Sequence, residues 1–181
     1  MKKWVDSAKK NYKRLIVLLV GLLLLYFVFG PGFAAVVVMI VFILIGMFST
    51  FYQNFFKSPI NFEMVKFVTV LTSVAYGPIP GMLVGMISSF IGKLISGRLE
   101  ADSFVSLIAI AIISFLAYAF RSMDIVMLGM LMVVLYHLII FPAVLMLGGT
   151  MGYGIIYSGS NIIFNLIIFS YLGRFVLSLI T

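Results

Sequence analysis

The sequence predicts an all-α protein, a polytopic transmembrane helix bundle of six to seven spans. Of its 181 residues, 64% are hydrophobic and only 9% are charged, whereas a soluble domain has about a quarter of its residues charged. The mean hydropathy is +1.28. Since one crossing needs about 20 apolar residues, the chain has room for roughly six or seven helices and no separate soluble domain. We therefore expect residues 15–181 to form a single transmembrane domain in the lipid bilayer.

A basic tail, residues 1–14, precedes the first span. It contains several Lys and Arg residues but only one acidic residue, Asp6. Basic residues beside a span are typical of the cytoplasmic side. We therefore expect a multi-pass protein of the cell (plasma) membrane with a cytoplasmic N-terminus. The net charge of +7 would also fit a nucleic-acid partner, but its concentration at a membrane flank argues against one. A signal peptide is not expected, because Gly30-Pro31-Gly32 is a poor cleavage site.

Breaks in the apolar runs divide the transmembrane domain into spans. Gly30-Pro31-Gly32 separates the first two apolar runs. If the two runs form a helical hairpin, the chain has seven spans. If residues 15–52 cross the membrane only once, it has six. The positive-inside rule favours seven, because that count places more basic residues on the side of the tail. The expected spans are about 15–29, 33–52, 61–76, 80–96, 104–120, 125–147 and 155–180.

The stretch from Tyr76 to Lys93 organises this bundle. Prolines in its Gly-Pro-x-Pro-Gly turn break the preceding helix. The next run carries small residues three and four apart, which places them on one helical face. Such a face lets a neighbouring backbone approach closely in a membrane. We therefore expect Gly81, Gly85 and Gly92 to be helix-packing positions.

Charged and glycine residues mark the ends of the later spans. Glu63 and Lys66 are three apart, which predicts a boundary ion pair of small worth. Lys93 is expected to extend to the interface or to meet a carboxylate such as Glu63. Asp102 or Ser103 is expected to cap the following helix. Pro142 is expected to kink its helix, and the glycines at 148–154 are expected to form a flexible connection.

Polar residues inside the later spans are the candidates for a ligand site, because they are costly in lipid. Asn161 and Asn165 lie four apart on one helical face, which Tyr157 extends, and His137 lies near the middle of its span. Two interpretations stay open: the side chains form hydrogen bonds between helices, or they line a polar cavity that binds a small molecule. The ligand-binding candidates are Asn161, Asn165, His137 and Tyr157.

No catalytic constellation is visible in the sequence. There is no cysteine, His137 has no carboxylate within a helical turn, and no phosphate-binding loop is present. The scattered methionines are typical of packing rather than of copper binding. We therefore expect neither an enzyme nor a bound metal or cofactor.

The Gly77-Pro78-Ile79-Pro80-Gly81 stretch, with Gly85 in the same helix, resembles the core of the S components of energy-coupling factor transporters. The last helix, with Asn161, Asn165 and Gly173, is similar to theirs as well. Rod-shape membrane proteins of the MreD type share nearly the same layout. The resemblance covers about residues 61–180.

The S-component resemblance implies a substrate-binding subunit of a multi-subunit transporter for a small solute. Its partners would be larger membrane or ATPase-linked subunits that drive release of the solute. The MreD resemblance implies instead a scaffold that holds other membrane and cytoskeletal proteins and transports nothing. A solvent-accessible cavity near Asn161, Asn165 and His137 would favour the first function, and a filled centre would favour the second.

Overall fold

The computed structural model describes residue 21 and residues 31–51 and 60–181. The expected basic tail and, apart from Gly21, the expected first span 15–29 lie outside these residues. The chain divides into two compact units, Met1–Val38 and Met39–Thr181. In the first unit, residues 31–38 are helical. The contacts and cavities described below lie in the second unit.

The described part of the chain is mostly helical and contains no strand. Five of its helical segments are long and apolar enough to cross a membrane: Gly32–Phe51, Pro78–Ile95, Ala101–Ala119, Ile125–Met146 and Met151–Ile180. One further apolar helix, Val65–Tyr76, is shorter. The elements are α1 (Pro31–Phe51), α2 (Val65–Tyr76), α3 (Pro78–Ile95), α4 (Ala101–Ala119), α5 (Ile125–Met146), α6 (Met151–Ile168), a π-helical turn (Phe169–Gly173) and α7 (Arg174–Ile180).

The short helix α2 is the centre of the second unit. It contacts α3, α4, α5, α6 and α7, and its residues from Val65 to Ser73 are all buried. The longer helices around it carry large apolar side chains on their outer faces, such as Leu138 and Ile163, which are more than half exposed. Such side chains are suited to contact with lipid. The bundle therefore surrounds one buried helix with helices whose outer faces are apolar.

A tight turn at Gly77 joins α2 to α3. Gly77 has φ of +106°, a conformation that favours glycine. Pro78 then occupies the first turn of α3, where its missing N–H costs no hydrogen bond. The helix therefore begins at Pro78 rather than near Pro80. Ser114 of α4 donates a hydrogen bond of 2.6 Å to the carbonyl of Pro78, which ties the turn to its neighbour.

The small residues of α3 lie where neighbouring helices come closest. A Cβ at Gly81 would overlap Ser73 of α2, including its backbone. A Cβ at Gly85 would overlap Thr69 and Ile110, and one at Gly92 would overlap Thr50. All three glycines therefore lie at helix contacts, on the face that their spacing indicates.

The starts of α6 and α4 also differ from the expected positions. Helix α6 begins at Met151 rather than near Ile155, because the hydroxyl of Thr150 accepts a hydrogen bond from the Tyr153 N–H and caps the first turn. Helix α4 begins at Ala101, and its cap is Glu100, whose N–H donates to Ser103 Oγ at 3.2 Å. The helix α5 continues past Pro142 to Met146.

The end of the second unit that contains Tyr76 and Asp124 is closed by contacts with the C-terminal helix. Tyr76 donates a hydrogen bond to the Ile180 carbonyl. Arg174 binds Asp124 through Nη2 and Nε, at 2.9 and 3.0 Å. The hydrogen bond from Arg174 holds the pKa of Asp124 below its usual range, assisted by the backbone N–H groups of Val126 and Met127. Because Arg174 is exposed, this pair orients α7 more than it stabilises the fold.

Replacing Gly81 by Ala is expected to lower the melting temperature in detergent, because the new methyl group meets backbone atoms of Ser73 that cannot move without shifting α2. The matched control is Gly159→Ala, since a Cβ there meets nothing within 4 Å. Thermal unfolding of both variants measures the difference. Equal melting of Gly81→Ala and the parent protein would contradict the close approach of α2 and α3.

Candidate functional site

Five non-helical residues, Ile60–Met64, lead into α2 from within the bundle, and we call them the lead-in segment. Asn61 and Glu63 are buried in it. Non-helical backbone that is shielded from water needs hydrogen-bond partners from the protein. One is Ser49 of α1, whose Oγ accepts a hydrogen bond of 2.9 Å from the Met64 N–H.

Helix α6 supplies further partners. Asn161 Nδ2 donates to the Asn61 carbonyl at 3.3 Å, and Asn165 Nδ2 donates to the Glu63 carbonyl at 3.4 Å. The Asn61 N–H donates to Ser160 Oγ at 2.9 Å. The carbonyls of Asn61 and Glu63, two residues apart, thus accept hydrogen bonds from the side-chain amides of Asn161 and Asn165, which lie one helical turn apart in α6. The structure places both asparagines in hydrogen bonds between elements of the protein.

His137 of α5 joins the same network. Its Nε2 lies 3.0 Å from Asn161 Oδ1. The Asn161 amide donates to Asn61 through Nδ2 and accepts from Asn165 through Oδ1, so Nε2 of His137 is the donor in this assignment. Its Nδ1 is then an acceptor, and this buried atom has no hydrogen-bond partner among the described residues.

The ion pair of Glu63 and Lys66 lies inside the bundle. The carboxylate Oε2 is 3.5 Å from Nζ, and the two side chains are only 4% and 0% exposed. Asn61 Nδ2 donates to the same oxygen at 3.4 Å, and the ammonium group lies 4.4 Å from the centre of the Tyr136 ring. The expectation of a boundary pair is therefore wrong: the lead-in segment carries Glu63 into the interior with Lys66.

A small polar cavity lies at the α3–α4 loop, beside this network. Its volume is about 60 Å³, and a wider cavity of about 530 Å³ adjoins it. The two share Glu100, Asp102 and Tyr153. The small cavity is lined by Thr50, Lys93, Ser96, Arg98, Glu100, Asp102, Tyr153 and Tyr157.

Lys93 forms its ion pair inside this cavity. Its Nζ lies 3.7 Å from Asp102 Oδ2 and donates to Ser103 Oγ at 3.2 Å. Lys93 therefore meets a carboxylate, and that carboxylate belongs to Asp102 rather than to Glu63. Lys93 is in the last turn of α3 and Asp102 is in the first turn of α4. Because a short loop joins these two helices, both residues lie at the same end of the bundle.

Tyr157 connects the cavity with the buried network. Its ring stacks on that of Tyr153, with centres 6.0 Å apart, and its centre lies 6.2 Å from that of His137. Tyr157 lines the small cavity. His137 instead borders an apolar groove between α5 and α6 that also contains Ser158. The four candidates are thus contiguous, and Tyr157 is the one that reaches the charged cavity.

Two parts of this site were not among the sequence candidates. The first is the cavity lining from Lys93 to Asp102, signalled by the most charged loop in the described chain. The second is the buried pair Glu63–Lys66, since i, i+3 spacing does not distinguish a buried pair from an exposed one. Among the described residues, no group of three His, Cys, Asp or Glu side chains is placed to hold a metal ion.

Comparisons with models of protein families, with curated proteins and with solved structures return no match. The site is therefore interpreted from its own geometry and charges.

Replacing Lys66 by Met is expected to destabilise the protein by about 3 kcal/mol, because the Glu63 carboxylate stays buried without its cation. The double variant Glu63→Gln/Lys66→Met leaves no buried charge at the pair and is expected to recover much of this loss. Equilibrium unfolding in mixed detergent measures both variants. If both unfold like the parent, the pair is not held inside the bundle.

Proposed function

We propose that this chain is the substrate-binding membrane subunit of a multi-subunit transporter, of the type found in energy-coupling factor systems. The observation that carries the proposal is the charged cavity at the α3–α4 loop, which Tyr157 connects to a buried network of ionisable and amide groups. The cavity binds a small solute, and the chain performs no catalysis on it.

The electrostatic cost of the site supports a binding role. Glu63, Lys66 and His137 are buried in an apolar bundle, where ionisable groups are expensive and commonly mark ligand or ion pathways. A cavity lined by charged side chains offers the polar contacts that fix a small ligand. In this proposal, Tyr157 and the cavity residues contact the solute, while Asn161, Asn165 and His137 hold the wall behind them.

The short helix α2 bears on the number of spans in this proposal. Its 12 residues span about 18 Å at 1.5 Å each, and the five residues of the lead-in segment can add up to about 16 Å. Together they match a hydrocarbon core of about 30 Å. We therefore count α2 with its lead-in segment as a span, which gives six spans in the described residues. The expected span 15–29 would be the seventh.

A scaffold of the MreD type is the second candidate function. The observation in its favour is that the amides of Asn161 and Asn165 donate to the protein's own carbonyls, so that polar groups fill the centre near them. A scaffold would use the bundle as a rigid body and would leave the charged cavity without a solute.

Purification from native membranes in mild detergent is expected to yield a complex with a larger membrane or ATPase-linked subunit and a bound small molecule. Mass spectrometry of both fractions identifies them, and Tyr157→Ala is expected to lose the molecule while keeping the partner. The matched control is Tyr171→Ala, because Tyr171 is highly exposed. A partner complex without a small molecule in the parent protein would favour the scaffold.

The number of spans and the orientation are tested together by single cysteines in this cysteine-free chain. With seven spans and a cytoplasmic N-terminus, Ser7→Cys is expected to resist an impermeant thiol reagent added to intact cells, whereas Ser122→Cys reacts. With six spans, both cysteines are cytoplasmic and both resist. Labelling of Ser7→Cys from outside would reverse the proposed orientation, and permeabilised cells control for reactivity.

A further inference from the structure

We infer that the solute of this cavity is a small zwitterion with an apolar side group, whose carboxylate faces Lys93 and whose ammonium group faces Asp102 and Glu100. The inference rests on the proposed function and specifies its substrate class.

Charges of both signs line the small cavity in balance. Lys93 and Arg98 supply positive charge, and Glu100 and Asp102 supply negative charge. A singly charged ligand would be attracted by one pair and repelled by the other. A zwitterion can place each of its charges beside a residue of opposite sign, which makes it the charge type that this lining accepts.

The ion pair in the cavity is arranged so that a ligand can replace it. Lys93 Nζ and Asp102 Oδ2 are 3.7 Å apart, and the two side chains are 16% and 30% exposed. At 3.7 Å the two atoms are beyond hydrogen-bond distance, so the pair has no direct hydrogen bond to lose. A carboxylate and an ammonium group of a ligand can therefore take the places of these two partners at small cost to the fold.

The sizes of the two cavities define the rest of the ligand. The small cavity of about 60 Å³ has the volume of roughly two water molecules, at about 30 Å³ each, so it accommodates a charged head group. The adjoining cavity of about 530 Å³ includes Val144 and Leu147, which suit an apolar side group. Glu100, Asp102 and Tyr153 belong to both cavities, so a single molecule can occupy both.

An apolar α-amino acid is the simplest molecule that meets these conditions. The probes are L-leucine, L-methionine and L-phenylalanine, each compared with the amine that lacks its carboxylate and the acid that lacks its amino group. The full chain, stripped of bound solute and placed in lipid nanodiscs, is titrated with each probe, and the heat of binding is measured. At least one amino acid is expected to bind at least tenfold more tightly than both of its singly charged analogues.

The variants Lys93→Met and Asp102→Asn are expected to weaken this binding at least tenfold. Asp124→Asn is the matched control at the opposite end of the bundle and is expected to bind like the parent. Glu100→Gln, at an exposed position, replaces Asp102→Asn in the comparison if that variant does not fold. Equal or tighter binding of an amine or an acid, or binding of none of the amino acids, overturns the inference.

Mass spectrometry of the co-purified solute shows whether only the inferred zwitterionic substrate is wrong or whether the proposed substrate-binding function is wrong as well. A co-purified solute that is not a zwitterion, and that Asp102→Asn loses, overturns the substrate class and leaves a substrate-binding subunit. Absence of any solute from the parent complex, together with no heat from any probe, removes both proposals.

Discussion

The need to satisfy the backbone of Ile60–Met64 inside the bundle determines the arrangement of this protein. The non-helical amide and carbonyl groups of this segment need hydrogen-bond partners where water is excluded, and Ser49 of α1 and Ser160, Asn161 and Asn165 of α6 supply several of them. Because those bonds fix the lead-in segment, Glu63 and Lys66 are held in the interior, next to Tyr136. The same bonds orient Asn161 toward His137. One backbone requirement thus links the buried charged pair, the two asparagines and the buried histidine.

The charged cavity and the buried network have different roles in this arrangement. The network is buried and joined by hydrogen bonds between helices, while most of the charged side chains that line the cavity are partly or fully exposed. A wall that is already fixed by protein contacts suits a binding site, because groups held in place lose little entropy when a ligand binds. Tyr157 belongs to both parts, and its contact with His137 is the direct link between them.

The class of the fold and the positions of most helices follow from the sequence alone, since apolar runs and Gly-Pro breaks are strong signals in a membrane protein. The small-residue spacing likewise indicated the face of α3 that meets its neighbours. Local patterns were less informative about burial. Nothing in the spacing of Glu63 and Lys66 shows that the chain leads both into the interior, because that depends on partners about 100 residues away. For the same reason, the pattern of Asn161 and Asn165 left open whether they bind a ligand or a backbone carbonyl.

The π-helical turn Phe169–Gly173 has a consequence for the last helix. The buried positions Asn161, Asn165, Phe169 and Gly173 are spaced by four, and in a regular α-helix such a row drifts around the axis by about 40° at each step. A wider turn uses more residues per revolution and so offsets this drift. The number of residues between Asn165 and Arg174 therefore matters as much as their identity. One residue fewer would rotate α7 by about 100° and carry Arg174 away from Asp124.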